Sequence, residues 1–180
     1  MKNSQATVLL AALVARAAAE VPQEQSHRGV ILTTQTFLQL NNPLGIVDPV
    51  FGLLGDAAAA DGAGDVVNLA CLQQEAADQA FTNAKEAGDV DGQANALIYR
   101  ALERNTGSVG LASELCDEVA ANAEIQALTQ HQDPASDNAQ QLNKDLVLAL
   151  AIQLAAIGAD PTLALLSGTF VPGDVSNSAS

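Results

Sequence analysis

Residues 65–105 read DVVNLACLQQEAADQAFTNAKEAGDVDGQANALIYRALERN, two amphipathic stretches joined at EAGDVDGQ, residues 86–93. The first places Val66, Leu69, Ala70, Ala76, Ala77, Ala80, Phe81 and Ala84 at steps of three and four, interrupted once by Gln73. That spacing predicts a helix over 65–87 with one buried face. The second predicts a helix over 92–105 that buries Ala94, Leu97, Ile98, Ala101 and Leu102, with Gly107 free to end it in a left-handed cap. The junction contains D-x-D-G, a fragment of a calcium loop. Aligning Gly92 with the obligatory glycine puts Asp89 and Asp91 at the third and fifth ligand positions, but Ala87 at the first and Ile98 at the twelfth. Two anchoring carboxylates are missing, so the stretch reads as a corner and no metal site is expected. Gly88 would end one helix, Asp89 or Asp91 would cap the next, and Gly92 would ease the bend.

Outward from this pair, Asp48-Pro49, Asp133-Pro134 and Asp160-Pro161 each carry helix-start grammar. An aspartate satisfies free N–H groups while proline takes the first helical position. The likeness of DPVFGLLG to DPTLALLSG is shared grammar, because nothing between the copies repeats. Further helical segments are expected near Val109–Val119, carrying Cys116, and near Ala123–His131. The most apolar element runs from Pro134 to Ile157, and its second half reads LVLALAIQLAAI with Gln153 as the sole polar residue. It is too short to span a bilayer, which needs about 20 apolar residues. The expectation is a central core helix. Toward the N-terminus, residues 20–47 read as a polar, loose arm (EVPQEQSHRG) followed by GVILTTQTFLQL, which fits a strand or a helix equally, and Asn41-Asn42-Pro43 then breaks the chain. The Ser-rich end, residues 171–180, has no apolar period and is expected to be disordered.

The first residues, MKNSQATVLLAALVARAAAE, show Lys2, an apolar run from Ala6 to Ala15 and small residues before Glu20, the order of a secretory signal peptide covering 1–19. Its removal takes away Lys2 and Arg16 and leaves 5 basic residues against 21 acidic ones, a net charge of −16. Such a surface repels nucleic acid and anionic lipid, so neither is an expected partner, and no membrane is expected for the mature form. With no Trp, one Tyr and four Phe in 180 residues, the core must be built from aliphatic side chains, alanine above all. Alanine favours closely approaching helices. The expected architecture is all-α: a single-domain helical bundle, residues 48–170, with one disulfide. Cys71 and Cys116 are the only cysteines. In an oxidising route they pair, and closing a loop of about 46 residues stabilises the fold by about 4 kcal/mol on the chain-entropy model. A metal would need two more Cys or His ligands nearby, and His27 and His131 are distant in sequence.

Candidate chemistry is sparse. Tyr99, Arg100 and Arg104 form the one local concentration of positive charge. They read either as a cluster contacting an acidic or sugar-bearing partner, with Tyr99 as a stacking platform, or as a solvated face with an Arg100–Glu103 surface pair. His131-Gln132-Asp133 offers two thirds of a catalytic triad, but no G-x-S-x-G elbow exists and Gly107-Ser108-Val109-Gly110 has the wrong spacing. The simpler reading has His131 finishing a helix and Asp133 capping the next. No phosphate loop occurs, and without Trp there is no evident sugar-stacking cleft for paired carboxylates. No enzyme activity and no cofactor are expected. No N-x-[ST] acceptor is present, while O-linked sugars could sit on the Ser-rich end.

Several phrases together, NNPLGIVDPVFGLLGDAAAA, DQAFTNAKEAGDVDGQANALIYRALERNTGSVGLAS, HQDPAS and SGTFVPGD, resemble a family of small secreted proteins of filamentous ascomycete fungi often labelled cell wall proteins. The likeness covers about residues 41–174. Family members continue past TFVPGD with Cys-containing sequence where this chain reads VSNSAS. The resemblance implies secretion to the extracellular space or hyphal wall and no established enzymatic activity, and it carries over no catalytic or binding residues. The leading expectation is a secreted, non-catalytic cell-wall or extracellular-matrix protein, with cell-wall polysaccharide or a host protein as partner. Alternatives are an effector or antigen acting on a host, and a carrier of a small apolar ligand.

Overall fold

The computed structural model describes residues 23–168, and the expected leader (1–19) and the expected tail (171–180) both lie outside them. Seven α-helices follow in order: α1 Gln23–Ser26, α2 Arg28–Leu38, α3 Asp56–Ala59, α4 Leu72–Glu86, α5 Val90–Ala101, α6 Ala123–Gln126 and α7 Ala139–Ala156. Short 3-10 helices lie at Pro49–Leu53, Ala60–Gly62, Leu69–Cys71 and Pro161–Ser167, and no strand occurs among the described residues. The expected all-α, disulfide-containing single domain is therefore observed.

Helices α2, α4 and α5 pack on one another and define the core. Ala76, Ala77, Ala80, Phe81 and Ala84 of α4 face Ala96, Leu97, Ile98 and Ala101 of α5, all of them buried. Small side chains at these steps let the helix axes approach, as alanine-rich spacing predicts. The segment read as an arm, residues 20–47, is a correction: α2 buries Val30, Ile31, Thr34 and Leu38, and Ile46 beyond it is buried too. Four positions on one 3.6-period face outweigh the strand preference of their β-branched side chains. Thr34 returns its hydroxyl to the Val30 carbonyl at 2.9 Å, which satisfies it inside the helix. The core domain thus begins well before residue 48.

EAGDVDGQ is the corner that the sequence predicts. Gly88 sits at φ +69°, Gly88 N–H donates to the Lys85 carbonyl, and Asp89 N–H donates to the Ala84 carbonyl. These two bonds form a Schellman ending of α4. Asp89 then caps α5, its Oδ1 accepting from Gly92 N–H at 2.7 Å. Gly92 has a different task from the one expected: a Cβ there would run into the Phe37 ring of α2. It permits close approach between helices.

Several boundaries differ from expectation. The first helix starts at Leu72, because Asn68 Oδ1 accepts from Ala70 N–H at 3.2 Å and opens a 3-10 turn first. Val66, Leu69 and Ala70, expected on the buried stripe, are only partly buried, and Val67 between them is 94% exposed. The second helix ends at Ala101, where Leu102 turns extended. No helix forms over Val109–Val119, and the Ala123–His131 segment shortens to the four residues of α6. All three Asp-Pro pairs cap as predicted, with Asp48, Asp133 and Asp160 accepting from the N–H of Val50, Ala135 and Thr162 at 2.7–2.9 Å. The elements they open are 3-10 helices at Pro49 and Pro161 and only a turn at Pro134. The Cys71–Cys116 disulfide forms, with a Cα–Cα distance of 4.5 Å. It joins the entry of α4 to an irregular segment, not two helices.

The largest correction concerns α7. It buries Leu146, Leu150 and Leu154 along one stripe, while Leu148 is 63% and Ile152 57% exposed. It packs on α5 and on the 3-10 helix Pro161–Ser167 at the edge of the molecule. The central positions belong to α4 and α5.

Candidate functional site

Residues 102–138 contain only the four-residue α6, so their backbone N–H and C=O groups cannot pair within a helix. Buried backbone groups need partners, and polar side chains of the core helices supply them. Asp78 on α4 accepts from the N–H groups of Ala121 (2.6 Å) and Asn122 (3.0 Å). Gln74 donates to the Glu118 carbonyl at 2.8 Å, and Gln73 donates to the carbonyls of Tyr99 and Leu102 at 2.9 Å each. Farther along, Gln130 donates to the Glu114 carbonyl, Gln132 accepts from Ser113 N–H, and Asn143 of α7 exchanges two bonds with the backbone of Gln132. The interruption read at Gln73 is therefore one member of a buried amide network.

Tyr99, Arg100 and Arg104, the candidate partner contacts, are buried in this network and cannot form a contact surface as they stand. Tyr99 donates its hydroxyl to the Pro49 carbonyl at 2.5 Å, and burial raises its pKa. Arg100 donates to Gln130 Oε1 at 3.0 Å and Gln74 Oε1 at 3.3 Å, and burial lowers its pKa to about 10. Arg104 donates to the Leu54 carbonyl at 3.2 Å and pairs with Asp56. The anticipated surface pair of Arg100 with Glu103 is absent because Glu103 is also buried, accepting from Gln23 of α1 at 3.1 Å. Helix periodicity could not reveal this, since the covering layer is an irregular loop.

The Arg104–Asp56 pair lies in an open groove of about 800 Å³ between residues 54–58 and 104–114. Leu54 and Leu111 contribute apolar wall, Arg104 a cation, and Asn105 lies along it with a buried Oδ1 that has no partner among the described residues. Sequence reasoning did not find this groove, as its walls come from segments some 50 residues apart.

His131 and Asp133 do not form a dyad. Asp133 is engaged by Ala135 N–H and by Gly110 N–H at 3.0 Å. His131 Nε2 lies 3.0 Å from Ser167 Oγ, a partner that no motif suggests. That hydroxyl donates to the Ala164 carbonyl at 2.8 Å, so the imidazole N–H donates to the serine oxygen and does not act as its base. Both side chains are buried, and burial, with the His27 charge adding to it, lowers the His131 pKa to about 4. Burial also lowers the His27 pKa, and its Nε2 contacts the Gly168 carbonyl at 3.0 Å. The two histidines dock the end of the 3-10 helix Pro161–Ser167.

For metal chemistry, Asp89 is committed to its cap. Cys71, Asp117 and Glu118 come together, but the Cys71 sulfur is in the disulfide and offers no thiolate. The fold and these sites define a disulfide-stapled, all-α domain whose apolar core is joined to an irregular layer by buried amides. No protein-family model, curated protein or solved structure matches the chain.

Proposed function

We propose that the protein is a secreted, non-catalytic component of a fungal cell wall or extracellular matrix. The Cys71–Cys116 disulfide carries the reading, because such bonds persist in oxidising compartments and are rare in the cytosol. The leader-like residues 1–19, the acidic composition and the likeness to secreted ascomycete proteins support it. So does the commitment of Tyr99, Arg100, His131 and Ser167 to internal hydrogen bonds. The test is fractionation of a producing culture, together with a pull-down of purified protein against isolated wall glucan and chitin. Recovery wholly in the medium, with no affinity for either polymer, refutes the proposal. A second reading, carriage of a small amphiphilic ligand, rests on the groove beside Arg104 and Asn105. Native mass spectrometry of freshly purified protein tests it, and a bare mass that does not change on incubation with fatty acids excludes it.

A further inference from the structure

The polar groups of the groove beside Arg104 are unevenly matched. The Arg104 side chain is 4% exposed, and its Nε donates to the Leu54 carbonyl at 3.2 Å, which fixes the guanidinium without help from a carboxylate. Its ionic partner is the reverse: the Asp56 side chain is 68% exposed and accepts from Arg104 Nη2 through one oxygen. An exposed carboxylate exchanges readily with an external one, because water solvates it as it swings away. Next to this cation, the buried Asn105 Oδ1 accepts no hydrogen bond among the described residues. An acceptor in that state favours any donor that reaches it. Asn105 as a whole is half-buried and lines the groove, and its terminal torsion is soft, so turning the amide presents that oxygen to the groove. The volume of about 800 Å³ is within the range of small-molecule sites, and its apolar lining includes Leu111, which is 53% exposed.

We propose that the groove binds an α-hydroxy carboxylic acid with an apolar chain. The acid's carboxylate displaces Asp56 from Arg104, its hydroxyl donates to Asn105 Oδ1, and its chain covers Leu54 and Leu111. The assignment rests on the reading of this groove as the site of an amphiphile and names the amphiphile's head. Asp56 is then a resident competitor. A small anion such as acetate gains nothing from the apolar wall, so it does not outcompete a carboxylate tethered beside the cation. Glu114 also lines the groove and the chain carries a net charge of −14, so an incoming anion is repelled at long range. That repulsion arises from exposed charges and is screened by salt, whereas the contact with sheltered Arg104 is screened much less.

Calorimetric titration of the full chain with α-hydroxydecanoic acid, decanoic acid, decanol and decylamine, at about 0.15 M salt, tests the proposal. The hydroxy acid should bind about tenfold more tightly than decanoic acid, and decanol and decylamine should show no saturable binding. Both acids should bind more weakly at about 0.01 M salt. Asp56→Asn, which removes the competitor at an exposed position, should tighten both acids about threefold. Asn105→Ala should erase the difference between the two acids while circular dichroism stays unchanged. No saturable binding by any of the four compounds overturns this proposal and the carrier reading together. Equal binding of the two acids, binding of decanol or decylamine as tight as that of the hydroxy acid, or weaker acid binding by Asp56→Asn overturns the proposal alone.

Discussion

Helices α5 and α7 have opposite sequences and opposite fates. The first carries Gln93, Asn95, Tyr99 and Arg100, yet nearly every residue from Gly92 to Ala101 is buried. The second is the most apolar of the described helices and leaves Leu142, Leu148 and Ile152 more than half exposed. Depth in this protein follows from how many sides are covered. Alanines on α4 and α5 admit close neighbours, and the loop 102–138 covers the polar side that remains, provided that its backbone groups find partners there. Gln73, Gln74, Asp78, Arg100 and Gln130 are those partners or hold them in place. Hydrophobicity along one helix says that it has a face to bury, but supplies no second surface to cover the rest.

Breaking the cover should cost most. Replacing Cys71 and Cys116 together by serine frees the irregular layer and should lower unfolding stability by about 4 kcal/mol, read from urea midpoints under non-reducing conditions. Leu97→Ala in α5 should cost about 3 kcal/mol, while Leu148→Ala in α7 should stay within about 0.5 kcal/mol, both read from urea midpoints. Equal losses would show that α7 is as covered as α5. The buried histidine between these regions gives a pH effect of known sign. Native His131 titrates at about 4, well below its ordinary 6.5, so between those values the unfolded chain binds a proton that the folded one excludes. Stability then falls as pH drops from 6.5 toward 4, by up to about 3 kcal/mol, and His131→Gln should remove that part of the slope. The smallest contrast lies in EAGDVDGQ: Asp89→Ala loses a cap and should cost about 1 kcal/mol, whereas Asp91→Ala should change stability by less than about 0.5 kcal/mol.

The corner at residues 86–93 was legible because its determinants are local: a glycine with positive φ, a capping aspartate and helical periodicity on either side. The three Asp-Pro caps were legible for the same reason, although the length of the element after each cap was not. Whether a capped start continues depends on contacts farther away, as at Asp133, whose second oxygen is claimed by Gly110. The candidate cluster of Tyr99, Arg100 and Arg104 was misread because charge suggests solvent when only the helix is considered. Ser167 beside His131 could not be anticipated, since 36 residues separate them and neither sits in a recognised motif.

By itself, the sequence determined the helical class, the helix pair and its corner, the capping residues and the single disulfide. Each of these depends on backbone preferences within a few residues or on the presence of only two thiols. Only the tertiary structure decided that α2 belongs to the core, that the arginines lie inside, and that α7 shows an uncharged face to solvent. Burial is a property of all the surfaces that meet a side chain, and most of those surfaces come from distant parts of the chain.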